Sequence, residues 1–297
     1  MAAAGMSDHG AAEVGGYVLD AWDAFLDVVT DPRTDLSRPS RLPGWTGHDV
    51  VAHLGQWPGH DIVEGVLAAS RTEGPRPLDR DATNAALVQQ HRASSQDEIV
   101  AALVRARDSL DDFFASPRAD ELGHAWAESD VGRLPVLSLL HASTYELAVH
   151  ALDLMPCGAP APPDALLDRG LAALMDVTGS LCARSGIDIT LTAQTPEGGW
   201  QFVSDPAGWS TQRTSAGKIS GTGASATAAD LLDTSAGRTN LAQLLVTRRL
   251  VVHQLPSFMR LAPLLQDVPG LPGGPALRKA VAGLGGVTRV FGRLRRP

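Results

Sequence analysis

The chain has 297 residues, 44% hydrophobic and 20% charged, with a formal net charge of −8. That length suits one large or two ordinary domains, each with its own core, and the balance is that of a soluble globular chain. No window approaches the apolar run of about 18 residues that a membrane span needs, so no stable membrane insertion is expected.

The first residues lack the basic start and apolar stretch of a signal peptide. Two cysteines, Cys157 and Cys182, make neither a disulfide framework nor a CxxC pair. A cytoplasmic setting is expected. Six basic residues and no acidic one follow Leu271, so the rest of the chain is more acidic than its total indicates. An acidic body argues against nucleic acid as a partner.

Val14, Tyr17, Val18, Ala21, Phe25 and Val28 recur every three or four residues and predict a first helix over about 11–30, closed by Asp31-Pro32. A second helix starts after Arg41-Leu-Pro-Gly-Trp45, with Thr46 as N-cap and Asp49 completing a capping box. Trp45 and Val50 are placed to staple that start. His53 falls on its apolar face with Val50, Leu54 and Trp57, and Pro58 is expected to kink or interrupt the helix. A Gly/Pro/Arg-rich connection covers about 70–80. Ile99, Leu103, Ala106 and Leu110 mark a third long helix, and Leu134–Leu154 a fourth, with Pro135 acceptable in its first turn. Four helices joined by long connections favour an antiparallel four-helix bundle.

Residues 156–163 include four prolines and make the best domain boundary. Beyond it, a helix over about 164–184 precedes Ile187–Gln194, which alternates apolar and polar as a half-buried strand does. Turn chemistry at 196–199 leads to a second strand at 200–203. Residues 218–223 and 249–253 are weaker strand candidates, and helices are expected near 226–233, 240–247 and 256–265. The fold class expected is α+β: a helical bundle over 1–155, a smaller α+β domain over 164–270, and a basic Gly/Arg-rich tail over 271–297.

The chemistry concentrates on the fourth helix. Ser143, Glu146, His150 and Asp153 follow one another at spacings of three, four and three, a polar stripe in a helix otherwise rich in Leu, Val and Ala. Burying such groups without partners costs roughly 1–3 kcal/mol each. Glu146 and His150 lie one turn apart on one face, where a single metal can touch both, with His53 as a third ligand. Three protein ligands leave a position open, as catalytic sites do. The bland alternative is an ordinary helix-surface pair and a satisfied core histidine. Asp153 projects within about 20° of Glu146 at 3.6 residues per turn and is a candidate to orient a ligand or substrate group. His141 points about 180° from His150 on the same arithmetic and is excluded. His60 shares the face of His53 only if the second helix runs on through Pro58. Arg238 is the candidate anion-binding arginine of the second domain, with Arg213 as competitor.

Arg41–Leu54 followed about 90 residues later by Tyr145–Leu154 resembles the N-terminal domain of the mycothiol-dependent maleylpyruvate isomerase family, a DinB-like four-helix bundle. The resemblance implies that His53, Glu146 and His150 bind a divalent metal, zinc in first place. The second half resembles the sterol-carrier-type α+β domain that often follows this bundle, with Ala229–Asn240 carrying the likeness. The family implies mycothiol, a low-molecular-weight thiol, held as a metal-bound thiolate. It adds to the conjugated cis double bond of a small unsaturated acid and is eliminated after rotation to trans. Asp153 and Arg238 are the residues expected to assist that isomerase reaction. A mycothiol S-transferase acting on electrophiles keeps the site but changes the substrate. A non-catalytic carrier of an apolar ligand is the reading from a different class. The partners expected are the thiol and a small electrophilic or unsaturated acid, on a monomer or homodimer.

Overall fold

The computed structural model describes residues 3–71, 80–129, 131–261 and 264. The chain opens with a short strand, β1 (Ala3–Ala4), and a 3-10 turn. Seven helices follow: α1 (Ala11–Thr30), α2 (Gly47–Leu54), α3 (Ile62–Ser70), α4 (Arg80–His91), α5 (Gln96–Phe114), α6 (Arg118–Leu122) and α7 (Val136–Asp153). A two-stranded ribbon, β2 (Trp126–Ala127) with β3 (Leu134–Pro135), leads into α7. After the proline-rich segment come α8 (Asp164–Arg184) and the strands β4 (Ile189–Thr195), β5 (Gly198–Asp205), β6 (Gly208–Thr214) and β7 (Thr222–Ser225). The helices α9 (Ala228–Ser235) and α10 (Leu241–Val246), the strand β8 (Val251–His253) and the short helix α11 (Leu255–Phe258) complete the described part.

The class is α+β, as expected: an N-terminal helical region and a C-terminal strand domain. In the helical region α1 packs on α5 and α7, and α2 on α4 and α5. The apolar stripe of α1 supplies Val14, Val18, Trp22 and Phe25 to one core with Ile99, Leu103 and Leu110 of α5 and Leu137, Leu140 and Leu147 of α7. Both α2 and α5 begin with capping boxes, at Thr46/Asp49 and Ser95/Glu98. Each satisfies backbone donors that a helix start leaves open.

The six-stranded mixed sheet runs β1-β6-β5-β4-β7-β8. β4 pairs antiparallel with β5 and parallel with β7, so it lies inside the sheet. Its expected alternation holds over Ile189, Thr190 and Leu191 and then gives way, because Thr192, Ala193 and Gln194 are all buried. Interior strands covered on both faces lose the two-residue pattern. The strand β6 was not expected. Its inward residues are Trp209 and Thr211, so only one large apolar side chain marks it. β1 pairs parallel with β6, and Met6 lies in the same core as Trp200 and Phe202, so the chain start packs with the sheet.

α8 is common to both cores. Leu166 and Leu167 enter the helical core, while Leu171, Met175 and Leu181 enter the core under the sheet. A Cβ on Gly170 of α8 would stand 2.4 Å from the Ala148 Cβ of α7, so the two helices meet backbone to backbone there.

The interruption expected at Pro58 comes a turn earlier, and the condition for His60 to share the face of His53 is not met. α2 ends at Leu54, one turn before Pro58, where Gly55 turns extended and the Trp57 indole donates to the Ala52 carbonyl at 2.9 Å. His60 therefore lies in the exposed turn closed on Trp57 and is not on the helix that carries His53. The basic tail and most of the connection over 70–80 lie outside the described residues.

Candidate functional site

The loop before α2 sets up one wall. Leu42-Pro43-Gly44-Trp45 is a tight turn with Gly44 at φ +81° and the Trp45 amide donating to the Leu42 carbonyl at 3.1 Å. A positive φ at the third position, after proline, is the demand of a type II turn. The turn directs Trp45 along α2, so that its ring meets His53 on the last turn edge to face, centroids 5.7 Å apart.

The second wall is α7. Tertiary packing places the ring of His150 against that of His53, centroids 5.4 Å apart and nearly perpendicular. His150 is almost fully buried, and its Nδ1 lies 3.0 Å from Asp153 Oδ2. Burial opposes ionisation of Asp153, but the hydrogen bond from His150 and the charge of Arg238 outweigh it and hold the carboxyl below its usual range. An ionised carboxylate only accepts, so Nδ1 carries the proton and Nε2 is the nitrogen left to bind outward. A carboxylate behind the second ring nitrogen is what a metal-binding histidine usually has.

Asp153 is fully buried and anchors more than this ring. Arg41 Nε donates to its Oδ1 at 3.2 Å; Arg238 donates from Nε to Oδ1 at 3.2 Å and from Nη2 to Oδ2 at 3.3 Å. Arg41 also grips Asp233 of α9 with both terminal nitrogens, at 2.9 and 2.7 Å. Arg238 follows α9, so the C-terminal domain contributes two charged residues to this end of α7. Arg213 pairs instead with Asp168 and is more than half exposed.

Tyr145 precedes Glu146 and lies 3.0 Å from Ser235 Oγ. That serine spends its own proton on the Leu232 carbonyl, so the phenol donates. Burial pushes the Tyr145 hydroxyl up to about 12. Ser143 turns back to the Leu140 carbonyl at 2.6 Å and takes no part.

Glu146 sits one turn before His150 on α7. Neither it nor His53 stands free of interactions. Among the described residues no group of three His, Cys, Asp or Glu side chains is placed to hold a metal ion. The donor chemistry suits a divalent ion nonetheless: two imidazoles already in contact, a carboxylate on the adjacent turn, and Asp153 behind one ring.

His141, set aside on helical geometry, is fully buried on the other side of α7. Burial drives its pKa down to about 3, and both ring nitrogens lack a hydrogen-bond partner among the described residues. Neither cysteine offers a ready thiolate. Burial pushes the Cys182 thiol up to about 12 and raises Cys157 as well.

Arg41, Tyr145 and Asp233 were not assigned roles from the sequence, and Trp45 only that of a helix staple. Arg41 stands inside the motif that carried the resemblance, but nothing local links it to carboxylates 112 and 192 positions away.

Residues 18–155 match the family model described as the mycothiol maleylpyruvate isomerase N-terminal domain. A crystal structure of a histidine-to-alanine mutant of the mycothiol-dependent maleylpyruvate isomerase aligns with a TM-score of 0.50 at 18% identity, over 80% of this chain and 93% of that one. A crystal structure described simply as the mycothiol-dependent maleylpyruvate isomerase aligns with a TM-score of 0.49 at 20% identity, over the same shares. At 18% identity the first of these likenesses is one of fold. No curated protein matches the chain. Residues 18–155, 138 of the 297, are thus similar to the mycothiol maleylpyruvate isomerase N-terminal domain family.

Proposed function

We propose that this protein is a metal- and thiol-dependent enzyme that isomerises a small unsaturated acid from cis to trans, in the manner its family name describes. The observation that carries the reading is the His53–His150 ring contact with Asp153 bonded behind His150. His53, Glu146 and His150 would hold the ion, zinc by donor type, and coordination would require the three to converge. A bound divalent cation lets a thiol ionise near neutral pH. The chain's own thiols are buried and held protonated, which supports an external thiol, mycothiol in this family, as the nucleophile.

The remaining groups bind and orient. Asp153 keeps the His150 proton on Nδ1. Trp45 covers the His53 edge of the site. Arg238 donates to the same Asp153 oxygen that meets His150, and it would meet the carboxylate of an acid substrate by sharing its fork between Asp153 and that substrate. The helical region would be the DinB-like bundle and the strand domain the sterol-carrier-type partner. With that second domain supplying Asp233 and Arg238, both are needed for one site.

The test is direct. Purified protein should carry one equivalent of divalent metal, lost in His53→Ala, Glu146→Ala and His150→Ala variants that remain folded. A wild-type protein with no stoichiometric metal after reconstitution sinks the proposal. A thiol S-transferase keeps the same site. Incubation with mycothiol and candidate electrophiles separates the two, because a transferase accumulates a covalent thiol adduct and an isomerase returns the thiol unchanged.

A further inference from the structure

We propose that Arg41 is a positioning residue for this site: it latches α9 of the strand domain onto Asp153 and, through Asp153, fixes the ring of His150. The inference rests on the reading of His150 as a ligand and extends it to a residue outside the proposed ligand set.

Arg41 holds residue 153 twice. Its backbone amide donates to the Asp153 carbonyl at 3.0 Å, and its Nε donates to the Asp153 carboxylate at 3.2 Å. The other end of the same guanidinium takes both oxygens of Asp233. A planar fork with donors in two directions can do this; an ammonium, a point donor on a flexible stem, cannot hold both carboxylates in fixed geometry.

The charges balance. Two guanidiniums, Arg41 and Arg238, face two carboxylates, Asp153 and Asp233. Without Arg41, Asp233 loses its bidentate partner and Asp153 keeps the fork of Arg238 and the ring of His150. Arg238 lies directly after α9, so an α9 released from Arg41 changes how Arg238 meets Asp153. The Tyr145–Ser235 hydrogen bond remains as a polar tie between α7 and α9. Asp153 is buried and shares its Oδ2 between Arg238 and His150. Any turn of the carboxylate is therefore passed to the imidazole.

The experiment uses the full chain with ¹⁵N-labelled histidine. In the metal-free protein the His150 Nδ1 resonance reports its bond to Asp153, and the buried His141 ring serves as internal control. Zinc alone is then titrated by calorimetry. In Arg41→Gln the Nδ1 signal should move towards that of an imidazole not bonded to a carboxylate, while the His141 signals stay in place. Zinc affinity should fall 10- to 100-fold, the range expected when a partner of a ligating histidine is lost. Asp233→Asn should shift both in the same direction, and the double variant should be no more than twofold weaker than Arg41→Gln, because the two act as one unit. Arg41→Lys should still lose at least threefold.

An unchanged Nδ1 signal with zinc affinity within twofold of wild type in Arg41→Gln overturns the proposal. If Arg41→Gln does not fold, Arg41→Lys and Asp233→Asn decide it on the same two readouts. A wild-type protein that binds no zinc defeats the metal reading, whereas the Nδ1 signal still decides the role of Arg41.

Discussion

His150 and Asp153 lie one turn apart on α7 and share a 3.0 Å hydrogen bond, with the carboxylate fully buried and held also by Arg41 and Arg238. Removing one member of a buried ion cluster leaves the others without their counter-charge, a loss of about 3–5 kcal/mol for well-buried sets. Both arginines here are about a quarter exposed, so water recovers part of that. Asp153→Ala should cost about 3 kcal/mol, read as a lowered midpoint in urea. Asp153→Asn should cost less, because the amide keeps the volume and one accepting oxygen. Equal stability of Asp153→Ala and wild type would show that the cluster contributes nothing net.

The capping box of α2 has its own measurable worth. Thr46 Oγ1 accepts from the Asp49 amide while Asp49 Oδ2 accepts from the Thr46 amide at 2.9 Å. Thr46→Ala should destabilise the protein by about 1 kcal/mol. α2 has only eight residues, so fraying at its start reaches His53 on its last turn. Hydrogen exchange should show faster amide exchange through α2 and little change in α8.

Acid sensitivity should run through His141. Its pKa, about 3 in the folded protein against an ordinary 6.5, means that folding favours the neutral ring. A depressed histidine contributes stability that is fully present above pH 6.5 and is lost as pH falls towards 3. The slope is about 1.4 kcal/mol per pH unit in that window. In His141→Phe, which cannot titrate and suits the apolar surroundings, the stability difference between pH 7 and pH 5 should shrink by about 2 kcal/mol. Denaturant titrations of both proteins at the two pH values measure it. Parallel curves would mean that His141 gains water or a partner on acidification.

The α7–α8 contact at Gly170 predicts a steric effect that outweighs helix propensity. Alanine gains about 1 kcal/mol over glycine in a helix interior. A Cβ placed 2.4 Å from that of Ala148 forces the helices apart, at about 1–3 kcal/mol for an overpacked core. Gly170→Ala should therefore lower the thermal midpoint, and adding Ala148→Gly should restore most of it. A higher midpoint in Gly170→Ala alone would show that the helices separate freely.

Much of this protein was legible in its sequence. The limits of α1 and α8, the cap of α2, and the placing of Glu146, His150 and Asp153 on one face of α7 follow from patterns that close within one or two turns: apolar spacing, a side chain three residues from its backbone partner, a proline at a helix start. Such contacts depend on neighbours in the chain, so residue order carries them. β6 escaped because a strand with one large inward side chain has little period to detect. The end of α2 before Pro58 escaped because the stop lies in the extended Gly55 and in the indole of Trp57 folding back on Ala52.

What tertiary structure alone decided is the company that α7 keeps. The sequence placed Asp153 beside Glu146 on a helix but did not indicate that two arginines, 112 positions before it and 85 after it, converge on its carboxylate. Nor did it reveal that Asp233 closes the cluster from another domain. Charged pairs of this kind have no periodicity and no preferred spacing. They are chosen by where the packed apolar faces of α7, α8 and α9 bring the chain, and so by the core rather than by the motif.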